Sequence, residues 1–371
     1  MTNHKQKKYN NPVTATLTGI RDLFRKQEPA GELVDTDRLD GKTVLVDGSS
    51  SGLGFAIATD CARRGARVVM ACRSGIPEKG EKIKKMTGNQ DVHMLPVDFS
   101  DIRSIRHLVS AIHDQFAPVD ILICNAGIVP KQSRKTPQGL EEMFMVNYFS
   151  KFVFVNLMLG DGNFNPTPGP SPRREGSIGY PASGIQHSAY RNAPPPAPPP
   201  EGRGAAGIQN PVPRIIFVAS ESHRNPEKFE WEAFGNYRDY SIGKSIELYG
   251  YYKLLLTTFA CELSRRLNPD QKTRYSVFAM CPGPVNSNIA REAPVLFQPL
   301  LKVVFGIFFK SPAKAAIPVI YLAASKDVEG KPFDYLFLMS RKEIDEKAAD
   351  PENGKCLWEL SEDLWHRMDK Q

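Results

Sequence analysis

Residues 43–54 read TVLVDGSSSGLG, a β-branched and apolar run followed at once by a glycine-rich turn. The run from Thr43 to Val46 predicts a buried strand, and helical spacing then extends from Phe55 to Arg64. Glycines between a strand and a helix let the backbone approach a pyrophosphate, and the helix N-terminus offers free N–H groups. The stretch therefore predicts a dinucleotide site, although a glycine-rich turn alone is as often a plain loop.

An alternation of strands and helices continues beyond this turn. The runs that predict strands are 67–72, 92–97, 121–124, 214–219 and 275–281, and those that predict helices are 78–86, 102–116, 140–159 and 248–267. Strands this apolar are buried on both faces, which favours a parallel sheet covered by helices. The predicted fold class is α/β, a single-domain doubly wound Rossmann fold with ligands at the carboxyl ends of its strands.

Tyr249 and Lys253 stand four residues apart at the start of an apolar run with helical spacing. Side chains at this spacing share one helix face, so the ammonium would favour the charged phenol and lower its pKa. The pair is a candidate proton donor and acceptor near neutral pH. By spacing alone, most such pairs are solvated surface neighbours.

Further motifs follow in order along the chain. They are Gly48-x-x-x-Gly52-x-Gly54, Asp98 after the third strand, Asn125-Ala126-Gly127 after the fourth, Asn147 in the next helix, Ser220 ending the fifth, Tyr249 with Lys253, and Pro282-Gly283 with Ser287 after the sixth. In this order they resemble the motifs of the short-chain dehydrogenase/reductase family, and within it those of the retinol-dehydrogenase-like members. The resemblance runs from about residue 39 to residue 365 and is broken by one insert.

The resemblance implies hydride transfer between a nicotinamide and a carbonyl/alcohol pair, with the hydride carried by the cofactor. It implies that Tyr249 is the general acid/base, that Lys253 lowers its pKa and holds the nicotinamide ribose, and that Ser220 hydrogen-bonds the substrate oxygen. Asn147 would hold a water that links Lys253 to solvent. The residues implied to bind the cofactor are Gly48, Ser50, Ser51, Gly52, Leu53, Gly54, Arg73, Asp98, Asn125, Ala126, Gly127, Tyr249, Lys253, Pro282, Gly283, Val285 and Ser287.

Two further tyrosines, Tyr251 and Tyr252, compete for the phenol role. Neither lies four residues before a lysine, so both are expected to pack or to line the pocket.

Arg73 stands at the end of the second strand, where an acidic residue would bind the ribose 2′-hydroxyl and favour NAD. An arginine can instead pair with a 2′-phosphate, so NADP(H) is favoured over NAD(H); a plain surface arginine is the alternative. Because NADPH is usually the reducing pool in cells, reduction is the favoured direction.

Asp47 departs from the family pattern, which usually has threonine directly before the first glycine. Its carboxylate would repel a pyrophosphate unless it is protonated or turned away, for example toward backbone N–H groups of the turn. Cofactor binding is expected to survive. The alternative function is a catalytically weak or inactive dinucleotide-binding relative that acts as an interaction module through a proline-rich insert.

Two stretches leave the carboxyl ends of strands and are expected to shape the substrate pocket. Residues 221–246 include Glu221, His223 and Arg224, which would either meet a polar substrate group or cap a loop. Residues 284–312 are apolar but too interrupted by polar residues for a membrane span. Buried lid or core is the expected role, with a dimer contact or a membrane-surface element as alternatives, and a lipophilic aldehyde, ketone or alcohol fits this composition.

Residues 160–213 hold 13 of the 30 prolines in the chain. Such a composition cannot bury a core, so this insert is predicted to be disordered with polyproline II pieces. It should lie at the amino ends of the strands, opposite the active site. A spacer or an addition to the reading frame is expected, and a ligand for SH3-like or WW-like modules is the functional alternative.

Residues 1–38 form an extension in which Leu17, Ile20, Leu23 and Phe24 could share one apolar face. A short amphipathic helix docked on the domain is expected, with an interfacial membrane anchor as the alternative. No signal-peptide pattern is visible, because the first residues are polar and basic.

The formal net charge of +7 is spread along 371 residues, which gives no indication of a nucleic-acid partner. Six cysteines without zinc-type spacing predict no metal site and a reduced, cytoplasmic compartment. Peripheral membrane contact and a homodimer, formed through the helix of Tyr249 as in relatives, stay open as alternatives.

Overall fold

The computed structural model describes residues 29–160, 163–164, 211–270, 272–283 and 311–369. In these residues one sheet is formed by β1 (Thr43–Asp47), β2 (Arg67–Cys72), β3 (Val92–Pro96), β4 (Ile121–Cys124), β5 (Arg214–Val218), β6 (Ser276–Cys281), β7 (Phe333–Phe337) and β8 (Ser340–Arg341). The strand order is β3-β2-β1-β4-β5-β6-β7-β8, parallel except where β8 pairs antiparallel with β7. The order reverses between β1 and β4, as in a doubly wound Rossmann sheet, which confirms the predicted fold class.

Helices cover both faces of the sheet. They are α1 (Gly52–Arg63), α2 (Glu78–Thr87), α3 (Ile102–Gln115), α4 (Glu142–Gly160), α5 (Ile242–Leu267), α6 (Pro312–Ala324), α7 (Glu346–Ala349) and α8 (Pro351–Asp369). Helices α3, α4, α5 and α8 share one apolar cluster with the sheet, and α1, α2 and α6 share the other. This two-faced burial explains why the strands are apolar at nearly every position.

Alternation along β1 decides which face each side chain joins. Leu45 belongs to the cluster with α4, whereas Val44 and Val46 belong to the cluster with α1. Because successive side chains point to opposite faces, Asp47 at the end of β1 points the same way as Leu45, toward α4.

Several predicted boundaries differ from the structure. Helix α5 begins at Ile242 rather than at residue 248, and the elements after β6 had no counterpart in the predicted pattern. Asn163 and Phe164, assigned to the insert, are buried, and Val119 donates its N–H to the Asn163 carbonyl at 2.6 Å. These two residues therefore belong to the fold, at the amino end of β4 as expected for the start of the insert. Residues 1–28 and 165–210 lie outside the described residues.

Helix α4 is the one helix among the described residues with the length and apolarity of a membrane span, at a mean hydropathy of 1.3. Of its apolar window, 83% is buried inside the fold. Packing against the sheet therefore accounts for its composition.

Candidate active site

The glycine-rich turn packs directly onto the turn that follows β4. Gly48 has φ of +60°, and a Cβ atom there would lie 2.8 Å from the Cα of Ala126. A Cβ atom at Gly54 would lie 2.4 Å from the Gly48 carbonyl oxygen. Side chains at these positions would push the two turns apart, so glycine is required by close backbone approach.

Asn125 ties the two turns together through hydrogen bonds. Its Nδ2 donates to the carbonyls of Asp47 and Gly48 at 3.1 and 3.2 Å. Helix α1 begins at Gly52, directly after this turn. Among the described residues, the side chain of Ser51, which precedes the helix, makes no hydrogen bond to the first N–H groups of α1. The first N–H groups of α1 and its positive dipole end thus suit a pyrophosphate, and these residues fit a dinucleotide cofactor.

Asp47 is fully buried and points away from the phosphate side of the turn. Its Oδ1 accepts the backbone N–H groups of Asn125 and Ala126, each at 2.5 Å, and its Oδ2 lies 2.7 Å from Lys151 Nζ. The carboxylate therefore points away from the phosphate side, which is one of the two arrangements that the sequence analysis considered. Its partners lie in the turn after β4 and in α4 rather than in its own turn. Lys151 neutralises the charge that would have repelled a pyrophosphate.

Arg73 extends from the end of β2 into solvent, with 70% of its side chain exposed. Its Nη1 is 4.0 Å from Asp98 Oδ2, a loose pair that leaves the guanidinium available to an anion. Asp98 is held in place because its Oδ1 accepts hydrogen bonds from the N–H and hydroxyl of Ser100, at 2.9 and 2.7 Å.

Ser220, Tyr249 and Lys253 meet at the carboxyl end of β5. The Tyr249 phenol lies close enough to the Ser220 side chain for the serine to lower its pKa, and Lys253 Nζ lies 5.6 Å from the centre of the Tyr249 ring. Ser220 Oγ accepts the hydroxyl of Ser222 at 2.9 Å and its N–H at 3.3 Å, so its own hydrogen remains for Tyr249 or a substrate oxygen. Lys253 Nζ donates to the Val218 carbonyl at 2.8 Å.

The predicted lowering of the phenol pKa by the ammonium is wrong for this structure. Burial raises the pKa of Tyr249 to about 12, against a smaller lowering by its contact with Ser220. Burial also lowers the pKa of Lys253 to about 8, with a further lowering by the charge of Lys151. Desolvation therefore outweighs the local charge, and at neutral pH Tyr249 carries its proton.

Asn147 lies in a π-helical turn within α4, Met145–Phe149, in which the Ser150 N–H reaches the Met145 carbonyl. Its Oδ1 accepts the Ile128 N–H at 2.7 Å, and its Nδ2 donates to the Ile128 carbonyl at 2.9 Å. The side chain thus anchors the chain that follows Ala126, and the predicted role of Asn147 in holding a water stays a prediction.

Glu221, His223 and Arg224 cap the loop after β5, as the plainer of the two interpretations expected. Glu221 accepts hydrogen bonds from the Tyr335 hydroxyl at 2.7 Å and from Lys342 Nζ at 2.5 Å. Arg224 Nε donates to Glu221 at 3.1 Å. The loop is therefore fastened to β7 and to the segment after β8.

Pro282 and Gly283 follow β6 as predicted. Gly283 has φ of +73°, and a Cβ atom there would lie 2.7 Å from Leu338 Cδ2. Val285 and Ser287, together with most of the predicted pocket-lining stretch 284–312, lie outside the described residues.

The two neighbouring tyrosines pack as expected. The Tyr252 ring is buried 5.6 Å from that of Phe144, and the Tyr251 hydroxyl accepts the Glu230 N–H at 3.0 Å.

Lys151 is the residue at this site that the sequence interpretation missed. A signal was present, because Lys151 is the one charged residue in the apolar run 143–160, and a buried charge requires a partner. The partner could not be read from the chain, since Asp47 lies 104 residues away.

This chain is similar in sequence to proteins of known family. The family model described as short chain dehydrogenase matches residues 42–161. Retinol dehydrogenase 14 of Mus musculus is 30% identical over 343 residues, which cover 88% of this chain and 87% of the relative. Retinol dehydrogenase 13 of Homo sapiens is 28% identical over 364 residues, covering 95% and 93%.

A solved structure of similar fold is the Pseudomonas aeruginosa RhlG/NADP active-site complex. It is 19% identical, with a TM-score of 0.54 that covers 82% of this chain and 98% of that chain. At this identity the likeness supports the fold alone. The family model and the two retinol dehydrogenase relatives favour an enzyme over the alternative of an interaction module.

Proposed function

We propose that this chain, which belongs to the short-chain dehydrogenase/reductase family as a retinol-dehydrogenase-like member, reduces lipophilic aldehydes or ketones with NADPH. The chain is an oxidoreductase that acts on CH–OH groups, and members of the family bind NAD(P). The proposal adds the cofactor, the direction, the substrate class and the residues that perform the reaction.

One observation carries the proposal: Ser220, Tyr249 and Lys253 converge at the carboxyl end of β5, on the same edge of the sheet as the glycine-rich turn. Ligands of doubly wound sheets bind at this edge. A proton donor, a hydrogen-bond donor and a cation near the phosphate-binding turn are the groups that carbonyl reduction requires from the protein.

Each side chain then has a defined task. When bound, the nicotinamide cofactor supplies the hydride. Tyr249 gives its proton to the substrate oxygen, and a pKa of about 12 keeps that proton in place at neutral pH until the oxygen becomes strongly basic. Ser220 donates its remaining hydrogen to the same oxygen and orients it. Lys253 lies beside the Tyr249 ring, where it holds the ribose and offers positive charge.

The NADP(H) preference is supported by Arg73. The guanidinium is exposed, bound only loosely to Asp98, and stands at the end of β2, where the ribose 2′ position is read. A 2′-phosphate would give it a bidentate partner. Asp47 does not oppose this assignment, because its charge is buried against Lys151.

The substrate class is supported by composition rather than by described contacts. The apolar stretch 284–312 leaves β6 at the edge of the sheet where the reaction would occur, and a lipophilic carbonyl suits such a surface. A cytoplasmic location belongs to the same proposal, and peripheral membrane contact and a homodimer stay alternatives. Six free thiols, five of them buried, agree with a reducing compartment.

The test is a titration of the purified chain with NADPH and with NADH, followed by nicotinamide fluorescence. We expect tighter binding of NADPH, and Arg73→Gln should remove most of the difference while leaving NADH affinity unchanged. Arg38→Gln is the matched control, because Arg38 is also an exposed arginine paired with an aspartate, Asp40. Binding of neither cofactor would overturn the proposal; binding would be followed by turnover assays with lipophilic aldehydes and ketones.

A further inference from the structure

A buried ion pair lies beneath the glycine-rich turn. Lys151 Nζ is 2.7 Å from Asp47 Oδ2, and their side chains are 1% and 0% exposed. A single charge of either sign is strongly disfavoured away from water, so each of these residues requires the other. Two apolar side chains could be buried at this position without needing an oppositely charged partner. The buried ion pair therefore indicates a role beyond packing.

Asp47 uses its two carboxylate oxygens for different partners. Oδ1 accepts the N–H groups of both Asn125 and Ala126, whereas Oδ2 faces Lys151. The same Ala126 is the residue on which Gly48 packs. One carboxylate therefore sets the separation of the two turns that the cofactor would touch, and Lys151 sets the position of that carboxylate.

Lys151 connects this anchor to the rest of the site. Its Nζ lies 4.0 Å from the centre of the Phe99 ring, on the segment after β3, and Lys151 follows Asn147 by four residues in α4. Through Asp47 and Lys151, the ends of β1, β3 and β4 are thus connected to α4, the helix from which Asn147 holds Ile128. Cation–π contact holds the ammonium without removing its charge from the site.

We propose that Asp47 and Lys151 form a positioning pair, which places the phosphate-binding turn and sets the net charge felt by Lys253. This inference rests on the proposed function, because it assigns the pair a part in the same site. Neither residue is a catalytic residue, since both act through Asn125, Ala126 and Lys253.

The charges around Lys253 give the two partners opposite effects. Burial is the main cause of the lowered pKa of Lys253; Lys151 lowers that pKa further, and Cys281 and Asp47 raise it. The Tyr249 ring faces Lys253 from the preceding turn of α5, and a Cβ atom at Gly127, the residue after Ala126, would lie 3.8 Å from Lys253 Nζ. The turn that Asp47 holds therefore adjoins Lys253. Removing Asp47 alone should therefore lower the Lys253 pKa, and removing Lys151 alone should raise it.

A merely structural pair would behave differently. Loss of either partner would then lower the melting temperature, with no shift or with the same shift at Lys253. Arg214 and Glu329 supply such a pair for comparison, because they stabilise the amino end of β5, where Arg214 also donates to the Leu322 and Ala323 carbonyls. Glu329→Gln is thus the matched control, and it should leave the pH dependence of turnover unchanged.

The experiment compares four proteins: the natural chain, Asp47→Asn, Lys151→Met and the double variant. Both substitutions retain the approximate length of the side chain and remove its charge. We expect kcat/KM for NADPH to fall on the order of 10- to 100-fold in each single variant, because misplacement of binding groups by about 1 Å has effects of this size. The double variant should recover most of the loss, since no buried charge is left unpaired.

The decisive measurement is the pH dependence. In the natural chain, turnover should fall as pH rises through about 8, where Lys253 loses its proton. That limb should move to lower pH in Asp47→Asn and to higher pH in Lys151→Met. The same shifts should appear in the cofactor-free protein by NMR of isotope-labelled lysine, with the Lys253 signal assigned by its loss in Lys253→Met.

Shifts in the same direction, no shift in either single variant, or a double variant as impaired as the sum of the singles would each overturn the proposal. If one single variant does not fold, the proposal is still tested by the pH shift in the other single variant and by the recovery of kcat/KM in the double variant. Absence of NADPH turnover in the natural chain would instead overturn the proposed function, and the lysine NMR would then test the charge coupling by itself.

Discussion

His223 Nδ1 lies 2.7 Å from the backbone carbonyl oxygen of Ser220. The other ring nitrogen, Nε2, accepts the Asp345 N–H at 3.3 Å, so Nδ1 carries the hydrogen and donates it to Ser220. The imidazole is fully buried, and burial lowers its pKa to about 4. A neutral histidine thus fixes the backbone of Ser220, whose side chain lies beside Tyr249.

Replacing His223 should weaken catalysis through Ser220. We expect His223→Leu to lower kcat by about tenfold, since a displaced hydrogen-bond donor loses alignment with the substrate oxygen. His223→Asn should retain much more activity, because its Nδ2 can replace the Nδ1 donor. Steady-state kinetics with NADPH would test this, and equal losses in the two variants would exclude a positioning role for the Nδ1 hydrogen bond.

His223 should also make the fold sensitive to acid. Its pKa is lowered from 6.5 to about 4, so the unfolded chain binds the proton more tightly. Stability is therefore complete above about pH 6.5 and decreases as pH falls toward 4, by up to about 3 kcal/mol from this group. Melting temperatures from pH 7 to pH 4 should fall less steeply for His223→Asn than for the natural chain; parallel curves would contradict this assignment.

Tyr249→Phe should abolish turnover without loss of cofactor affinity. Removing a general acid typically lowers the rate by about 10²- to 10⁴-fold, whereas the phenyl ring keeps the packing of the site. Tyr252→Phe is the control, because Tyr252 is a buried tyrosine in the same helix that packs against Phe144. Single-turnover rates and NADPH titration would be measured for both; near-normal turnover in Tyr249→Phe would remove the proposed mechanism.

Lys253→Met should remove activity and raise stability at the same time. Burial lowers the Lys253 pKa from 10.5 to about 8, so holding the ammonium inside the fold is unfavourable at pH 7. The variant also loses the hydrogen bond from Lys253 to the Val218 carbonyl, which offsets part of the gain. The free energy of unfolding should therefore rise by between about 1 and 3 kcal/mol.

The sign of that effect depends on pH. Between about pH 8 and 10.5 the unfolded chain binds more protons at Lys253 than the folded chain does, so the stability of the natural protein rises with pH in this window. The advantage of Lys253→Met should therefore shrink from pH 7 toward pH 10. Denaturant unfolding at several pH values would measure it, and a variant less stable than the natural chain at pH 7 would show that burial of the ammonium is not unfavourable.

The order of elements could be predicted from the chain because strand and helix periodicity are local properties. Residues 43–54 and the repeating apolar runs predicted the sheet, and the structure confirms it. The C-terminal elements were missed, since α6 is apolar along most of its length and carries Pro318, so its pattern gives no clear period. The boundary of α5 moved because Gly243, Lys244 and Ile246 near its start are exposed, so the apolar pattern of its later turns does not reach its first residues.

The motif spacing determined by itself which residues could carry the chemistry: the glycine-rich turn, Ser220, and the Tyr249–Lys253 pair on one helix face. Only the tertiary structure decided the environment of those residues. It turned Asp47 inward onto Lys151, raised the pKa of Tyr249 instead of lowering it, and held Ser220 by a buried imidazole. The spacing of residues along the chain determines which side chains are neighbours within one helix or turn. Desolvation of a side chain, and a contact such as that between Asp47 and Lys151, 104 residues apart, arise only when the chain has folded.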